Sequence, residues 1–239
     1  MGVVVVSGTG TEIGKTVVTS AVAAAAVAAG RTVAVLKPAQ TGLGPDEPGD
    51  AAEAARLAGP GVTPVELARY PEPLAPDTAA RRSGLATLSP AAVAAAAEKL
   101  AAAYDLVLVE GAGGLLVRFD EAGHTLADVA ALLAAPVLIV APAGLGTLNS
   151  TALTAEALRA RGLSPLGVVV GSWPAEPDLA ARCNLADLPA VSATPLLGAV
   201  PESSGRLAPD AFRAAAPGWL APELGGTWSA AEFTARWPA

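Results

Sequence analysis

The feature that most constrains this chain is a glycine-rich turn near its start, Gly8-Thr9-Gly10-Thr11-Glu12-Ile13-Gly14-Lys15-Thr16. The run Val3-Val4-Val5-Val6-Ser7 before it reads as a buried strand, and Val17-Val18-Thr19-Ser20-Ala21-Val22 after it as the start of a helix. Strand, glycine turn, Gly-Lys-Thr and helix together form the context of a phosphate-binding loop. Glycines allow backbone N–H groups to converge on an anion, and the following helix adds unpaired donors and the positive end of its dipole. In such a loop Lys15 reaches the outer phosphates and the Thr16 hydroxyl ligates Mg²⁺. Five residues separate Gly8 from Gly14, where the common pattern has four.

Composition narrows the options. The chain is 239 residues long, 52% apolar and only 4% aromatic, so its core must be built from Ala, Val and Leu. A net charge of −7 gives no electrostatic footprint for nucleic acid. The single cysteine, Cys183, excludes an internal disulfide and points to a reducing cytoplasm. The single histidine, His124, leaves no nitrogen-rich metal site, so any metal is a hard cation on oxygen ligands. No basic region precedes the first strand, so no leader is expected. The most lipid-like stretch, 126–146, contains Asp128, Pro136 and Pro142 and reads as a helix end plus a buried strand, not a membrane span.

Further strands are predicted over 32–36, 105–110, 137–141, 166–170 and 196–200, with Lys37-Pro38 ending the second. Helices are predicted over 15–29, 50–57, 77–84, 89–104, 125–133, 147–161 and 179–188. Asp50 stands at or near the N-cap of its helix, and Ser89-Pro90 gives an N-cap with proline at the first helical position. Residues 59–76 read as mostly irregular, and Leu115-Leu116-Val117 as a continuation of extended chain. Beyond Ser203 the pattern weakens, with short helices expected near 207–215 and 228–236. Strands alternate with helices and lack the two-residue alternation of a solvated sheet. The expected fold class is α/β: a single-domain, doubly wound, mostly parallel sheet with helices on both faces, spanning 1–239.

Ligands of such sheets bind beyond the carboxyl ends of the strands. The unusual residues of this chain fall there: Lys37-Pro38-Ala39-Gln40-Thr41-Gly42, Glu110-Gly111-Ala112-Gly113-Gly114, Gly144-Leu145-Gly146-Thr147-Leu148-Asn149 and Gly171-Ser172-Trp173-Pro174. Glycine and proline alone would be punctuation; Lys37 and Glu110 are not. Glu110, after four apolar residues, has the placement of a metal-binding acid. Asp50 is a candidate second carboxylate, with Asp46 as the alternative. Lys37 is placed to neutralise a transferring phosphoryl group or to hold an anionic substrate. Cys183 reads as a packing residue and His124 as a solvated one. The tryptophans read as core or interface, with Trp173 alone at a strand end where a base could stack.

At four ordered blocks the chain resembles the dethiobiotin synthetase family of the P-loop NTPase superfamily: Gly8 to Thr16, Lys37 to Gly42, Glu110 to Leu115, and Leu145 to Asn149. The five-residue spacing in the phosphate loop is the one that family uses. The resemblance runs from about residue 2 to 202. It implies an ATP-dependent ligase that joins CO₂ to 7,8-diaminopelargonate through a carbamate and a carbamic–phosphoric anhydride, closing the cyclic urea of dethiobiotin. It implies that Lys15 and Lys37 stabilise the transferring phosphoryl group, and that Thr16, Asp50 and Glu110 hold Mg²⁺. Thr11 and Thr41 would help position phosphate and carbamate, and Glu12, Ile13, Gly14 and Val17 belong to the ATP contacts. Gly171, Ser172, Pro201 and Glu202 would frame the base. Gly111, Ala112 and Gly113 would face the substrate. The family is homodimeric, which would bring Gly144, Gly146, Thr147, Leu148 and Asn149 of a partner to the substrate carboxylate at a helix N-terminus. Some relatives read adenine with an Asn after the fifth strand; here Gly171-Ser172-Trp173 stands there, which leaves nucleotide selectivity open.

The main rival is a partition or septum-placement type of switch ATPase, which shares the loop and fold. Such proteins usually carry an extra lysine early in the loop, and Gly8-Thr9-Gly10-Thr11 has none. The acidic chain also lacks a basic patch for DNA or a basic amphipathic helix for a membrane.

Overall fold

The computed structural model describes residues 2–239. In chain order its regular elements are β1 (Val3–Gly8), α1 (Lys15–Ala28), β2 (Val33–Thr41), α2 (Asp50–Ala58), β3 (Val62–Tyr70), α3 (Pro76–Ser83), α4 (Pro90–Ala101), β4 (Leu106–Gly114), α5 (Leu126–Leu132), β5 (Val137–Ala141), α6 (Thr147–Arg159), β6 (Pro165–Trp173), α7 (Leu179–Ser192), β7 (Leu196–Pro201), α8 (Pro209–Ala215) and α9 (Ala230–Arg236). The strands form one sheet in the order β3-β2-β4-β1-β5-β6-β7, and every neighbouring pair is parallel. No helix among the described residues is long and apolar enough to cross a membrane.

The strand order has a physical consequence. The chain leaves β1, skips a position to make β2, and returns to fill the gap with β4; β5 then continues on the other side of β1. Crossovers on the two sides of β1 therefore lie on opposite faces of the sheet, and a crevice opens at the carboxyl end of β1. The valines of β1 that pack between the layers are fully or almost fully buried. α1 is apolar all round because it is covered on several sides, by the sheet, by α2 and by the segment around Trp219.

Four expectations need correction. Residues 59–76 are not mostly irregular: β3 occupies Val62–Tyr70. It is an edge strand whose side chains are largely half-exposed, and it contains Pro64, which an edge tolerates; neither feature produces an apolar run. β2 does not stop at Lys37-Pro38 but continues to Thr41 through pairing with β3. β6 likewise runs on through Gly171 to Trp173. Leu115 and Leu116 form a turn after β4, not extended chain.

The weakly patterned tail is part of the core. Its Phe212, Ala216 and Leu220 are completely buried. Leu220 forms an antiparallel bridge with Gly198, and the Ala221 N–H donates to the Leu197 carbonyl at 2.9 Å. The tail thereby covers the free edge of β7, which would otherwise offer unpaired backbone groups. Phe233 of α9 meets the Trp173 ring edge-on at 5.2 Å. Phe212→Ala should lower unfolding free energy by about 3–5 kcal/mol, as for other fully buried aromatics, read from the midpoint of urea denaturation; a loss under about 1 kcal/mol would show the tail to be an appendage.

Candidate active site

The turn after β1 is held by backbone contact. Gly14 has φ 90° and sits at the N-terminus of α1, and a Cβ there would lie 2.2 Å from the Gly171 carbonyl oxygen. The converse also holds, since a Cβ on Gly171 would lie 2.1 Å from the Ile13 carbonyl oxygen. The loop and the end of β6 thus approach as two bare backbones, which only a glycine pair permits. Glu12 has φ 57°, a left-handed conformation that a glutamate rarely takes, and its side chain is exposed. With Gly14 two residues on also at positive φ, the loop has the left-handed positions from which anion nests are built.

Strand register brings the charged groups to the same level. Val6 of β1 pairs with Glu110 of β4, and Leu36 of β2 with Val109 of β4. Past that point β2 and β4 are no longer laddered, and Lys37 fills the gap. Its ammonium lies 2.5 Å from Asp50 Oδ2 and 2.9 Å from Glu110 Oε1. It also donates to the Gly111 carbonyl at 3.2 Å. The Thr16 hydroxyl donates to the same Glu110 oxygen at 2.9 Å. Lys37 and Glu110 are almost wholly buried, whereas Asp50 is about a third exposed. Asp50 is the first helical residue of α2 and Gly49 its cap, so Asp50 does not serve as the N-cap. The Asp50 N–H is taken by the side-chain oxygen of buried Gln40 at 2.8 Å, which leaves the carboxylate to face Lys37. Asp46, the alternative acid, is exposed in the preceding turn.

Burial opposes the charge on Lys37, but Glu110 and Asp50 outweigh it and hold its pKa above the ordinary lysine value. Lys15 has the opposite balance: burial, then the neighbouring Lys37, lower its pKa from 10.5 to about 8. Its ammonium folds back on the loop and donates to the Gly10 carbonyl at 2.6 Å.

These groups line a cavity of about 400 Å³. Of the residues expected at the site, Thr11, Glu12, Gly14, Lys15, Thr16, Val17, Lys37, Thr41, Asp50, Glu110, Ala112 and Gly113 lie on its wall. Ala39 and Gln40, of the expected strand-end stretch 37–42 but given no role of their own, also line it, and Leu43 joins them from just beyond that stretch. Ile13 and Gly171 act behind the wall through the backbone contact. Gly111, Ser172, Pro201, Glu202 and the 144–149 segment lie outside it within one chain. Trp173 is not available for stacking on a base: it is 5% exposed, its ring packed against Phe233 and Trp237.

The donor set suits a hard cation. Two carboxylates and a hydroxyl converge, and the second oxygen of Glu110, Oε2, is buried with no hydrogen-bond partner. No cluster of three or more acidic, histidine or cysteine groups fit for a metal occurs among the described residues.

A lysine-bearing anion nest at the switch point of a parallel sheet, with an acid on the neighbouring strand, places the chain in the phosphate-loop class of nucleotide-using α/β proteins. Solved structures share the architecture: a ParA family ATPase from Chlorobium tepidum, 14% identical with TM-score 0.57 over 98% of this chain and 97% of that one, and the septum site-determining protein MinD from Pyrococcus horikoshii, 18% identical with TM-score 0.52 over 90% and 93%. Likeness at that level concerns the fold alone. Residues 3–207 match the AAA domain family. Curated relatives are far nearer. The ATP-dependent dethiobiotin synthetase BioD of Streptomyces avermitilis is 70% identical over 98% of both chains. Its namesake from Streptomyces coelicolor is 69% identical over 99% of both, and that of Mycobacteroides abscessus 51% identical over 89% of this chain and 92% of its own. The chain belongs to the ATP-dependent dethiobiotin synthetase family.

The lowered Lys15 pKa predicts a proton linkage. Free Lys15 loses its proton as pH rises through about 8, whereas bound phosphates favour the ammonium. Nucleotide binding at about pH 9 should therefore take up close to one proton, and at about pH 7 close to none from this group. Calorimetry in buffers of different ionisation enthalpy measures this; equal uptake by Lys15→Met would assign the proton elsewhere.

Proposed function

We propose that this chain is an ATP-dependent ligase that carboxylates 7,8-diaminopelargonate with CO₂ and closes the ring to dethiobiotin, releasing ADP and phosphate. The observation that carries this reading is near-identity of length and 70% identity with a curated enzyme of that name. The cavity's pairing of a phosphate nest with Lys37 supports it.

In the proposed course, one amine of the substrate adds to CO₂ to give a carbamate. A carbamate oxygen attacks the γ-phosphorus of ATP and ADP leaves. The second amine then attacks the carbamoyl carbon and phosphate leaves with the activated oxygen. The loop N–H groups and Lys15 hold the phosphates, and Lys37 offsets charge on the transferring group. Thr11 and Thr41, both on the cavity wall, orient phosphate and carbamate. Thr16, Asp50 and Glu110 would hold Mg²⁺, which supplies charge neutralisation across the phosphates when bound. Ser172, Pro201 and Glu202 frame the base, and Gly171 fixes the loop against them.

The assembly we infer is a cytoplasmic homodimer built from one catalytic unit per chain. Leu145 is 93% exposed and Leu153, on the helix that follows, 57%; a partner surface there would cover both and bring Gly144 to Asn149 to the substrate carboxylate. The alternative, a switch ATPase of the partition type, is not favoured, since its representatives share only the fold.

Phosphate release from ATP should depend on both the diamine and bicarbonate. Hydrolysis indifferent to the diamine would overturn the reading. Lys37→Ala should lower kcat by about 10²–10³-fold while circular dichroism stays native, and near-normal turnover would remove Lys37 from the chemistry.

A further inference from the structure

We propose that Lys37 is the resident cation of the metal position: without nucleotide its ammonium occupies the place between Asp50 and Glu110, and it leaves when a metal-bearing nucleotide enters. This deepens the proposed function, on whose Mg²⁺ site it rests.

The geometry is one of mutual exclusion. The Lys37 Nζ takes oxygens of both carboxylates within hydrogen-bond distance. One of these, Glu110 Oε1, also accepts from Thr16. Two of the three groups suited to hold the ion are therefore on the ammonium, and the third, Thr16, is bonded to one of them. A Mg²⁺ ion bound at about 2.0–2.1 Å from its oxygens and an ammonium cannot share those atoms, and the two cations repel at such range. The other Glu110 oxygen is buried and unpartnered, so the acid has acceptor capacity that Lys37 does not use.

The fold gives Lys37 somewhere to go. The β2–β4 ladder ends at Leu36 and Val109, so no rung ties its backbone to β4, and its side chain borders the same cavity as Thr41 and Gly113. Charge explains the timing. Lys37 neutralises one unit of the two buried-side carboxylates, so a lone divalent ion finds the acids already paired. A nucleotide contributes phosphate oxygens and negative charge, which favour the ion in the pair and draw the displaced ammonium to the outer phosphate. Metal loading and delivery of Lys37 to the reacting group then become one event, and a nucleotide that arrives without metal leaves Lys37 on its acids.

Mn²⁺ serves as the probe, since its free ion is counted by electron paramagnetic resonance. Nucleotide-free wild-type protein should leave the Mn²⁺ signal unchanged over a range in which Lys37→Met binds one ion, a gain of about tenfold or more in affinity. Adding Asp50→Asn to that variant should abolish the gain. Equal affinities for wild type and Lys37→Met, or a gain that survives Asp50→Asn, would overturn the proposal. Should Lys37→Met fail to fold, wild-type protein decides it. Acetic anhydride labelling of Lys37, read by mass spectrometry with ADP present, should rise about fivefold or more when Mn²⁺ replaces EDTA; unchanged labelling would overturn the proposal. Diamine-stimulated phosphate release by the same wild-type preparation tests the enzymatic reading separately, so failure of one does not imply failure of the other.

Discussion

A turn that cradles phosphate must present bare backbone at the end of a buried strand, and much of this molecule follows from that requirement. The turn cannot support itself, because successive N–H groups pointing one way leave the chain without internal hydrogen bonds. It is instead clamped between α1 and the end of β6, where Gly14 and Gly171 meet at a distance no side chain allows. That contact needs β5 between them at the right spacing, and hence the register of β1 with β5 and of β5 with β6. The clamp couples loop shape to the end of β6.

The second organising element is a charge arrangement. A buried lysine holds its proton only if carboxylates offset the cost of desolvation, and a buried carboxylate needs partners for the same reason. Lys37, Asp50 and Glu110 come from β2, α2 and β4, so their mutual satisfaction ties three elements together along the cavity wall. Removing one partner of such a set is costly, by about 3–5 kcal/mol in comparable buried pairs. Lys15 feels the same three groups, but burial and the charge of Lys37 outweigh the two acids and leave it with a lowered pKa. The loop is thus short of a counter-charge that an incoming phosphate supplies.

The tail shows a different kind of dependence. Residues after Ser203 cover the β7 edge and wedge Phe233 and Trp237 against Trp173. Their aromatic side chains are spread among prolines and glycines, with no period that a strand or a long helix would impose. Their packing partners lie on strands already formed, which is why they are illegible before the sheet is known.

The sequence by itself determined the class of fold and the position of the anion site. Local physics suffices for these: apolar runs of strand length, a helix cap such as Ser89, and a glycine turn before Gly-Lys-Thr. It also named most of the cavity wall, because in a parallel sheet ligand-facing residues must follow strand ends. The tertiary structure alone decided three matters. It made residues 62–70 an edge strand, since edge pairing needs no apolar pattern. It withdrew Trp173 from the base and gave it to the tail, since burial of an indole depends on what packs over it. And it set Asp50 and Glu110 on Lys37 and left Asp46 exposed, because which charges meet depends on how strands and helices dock, and no local pattern encodes the contact of two residues 73 apart in sequence, as Lys37 and Glu110 are.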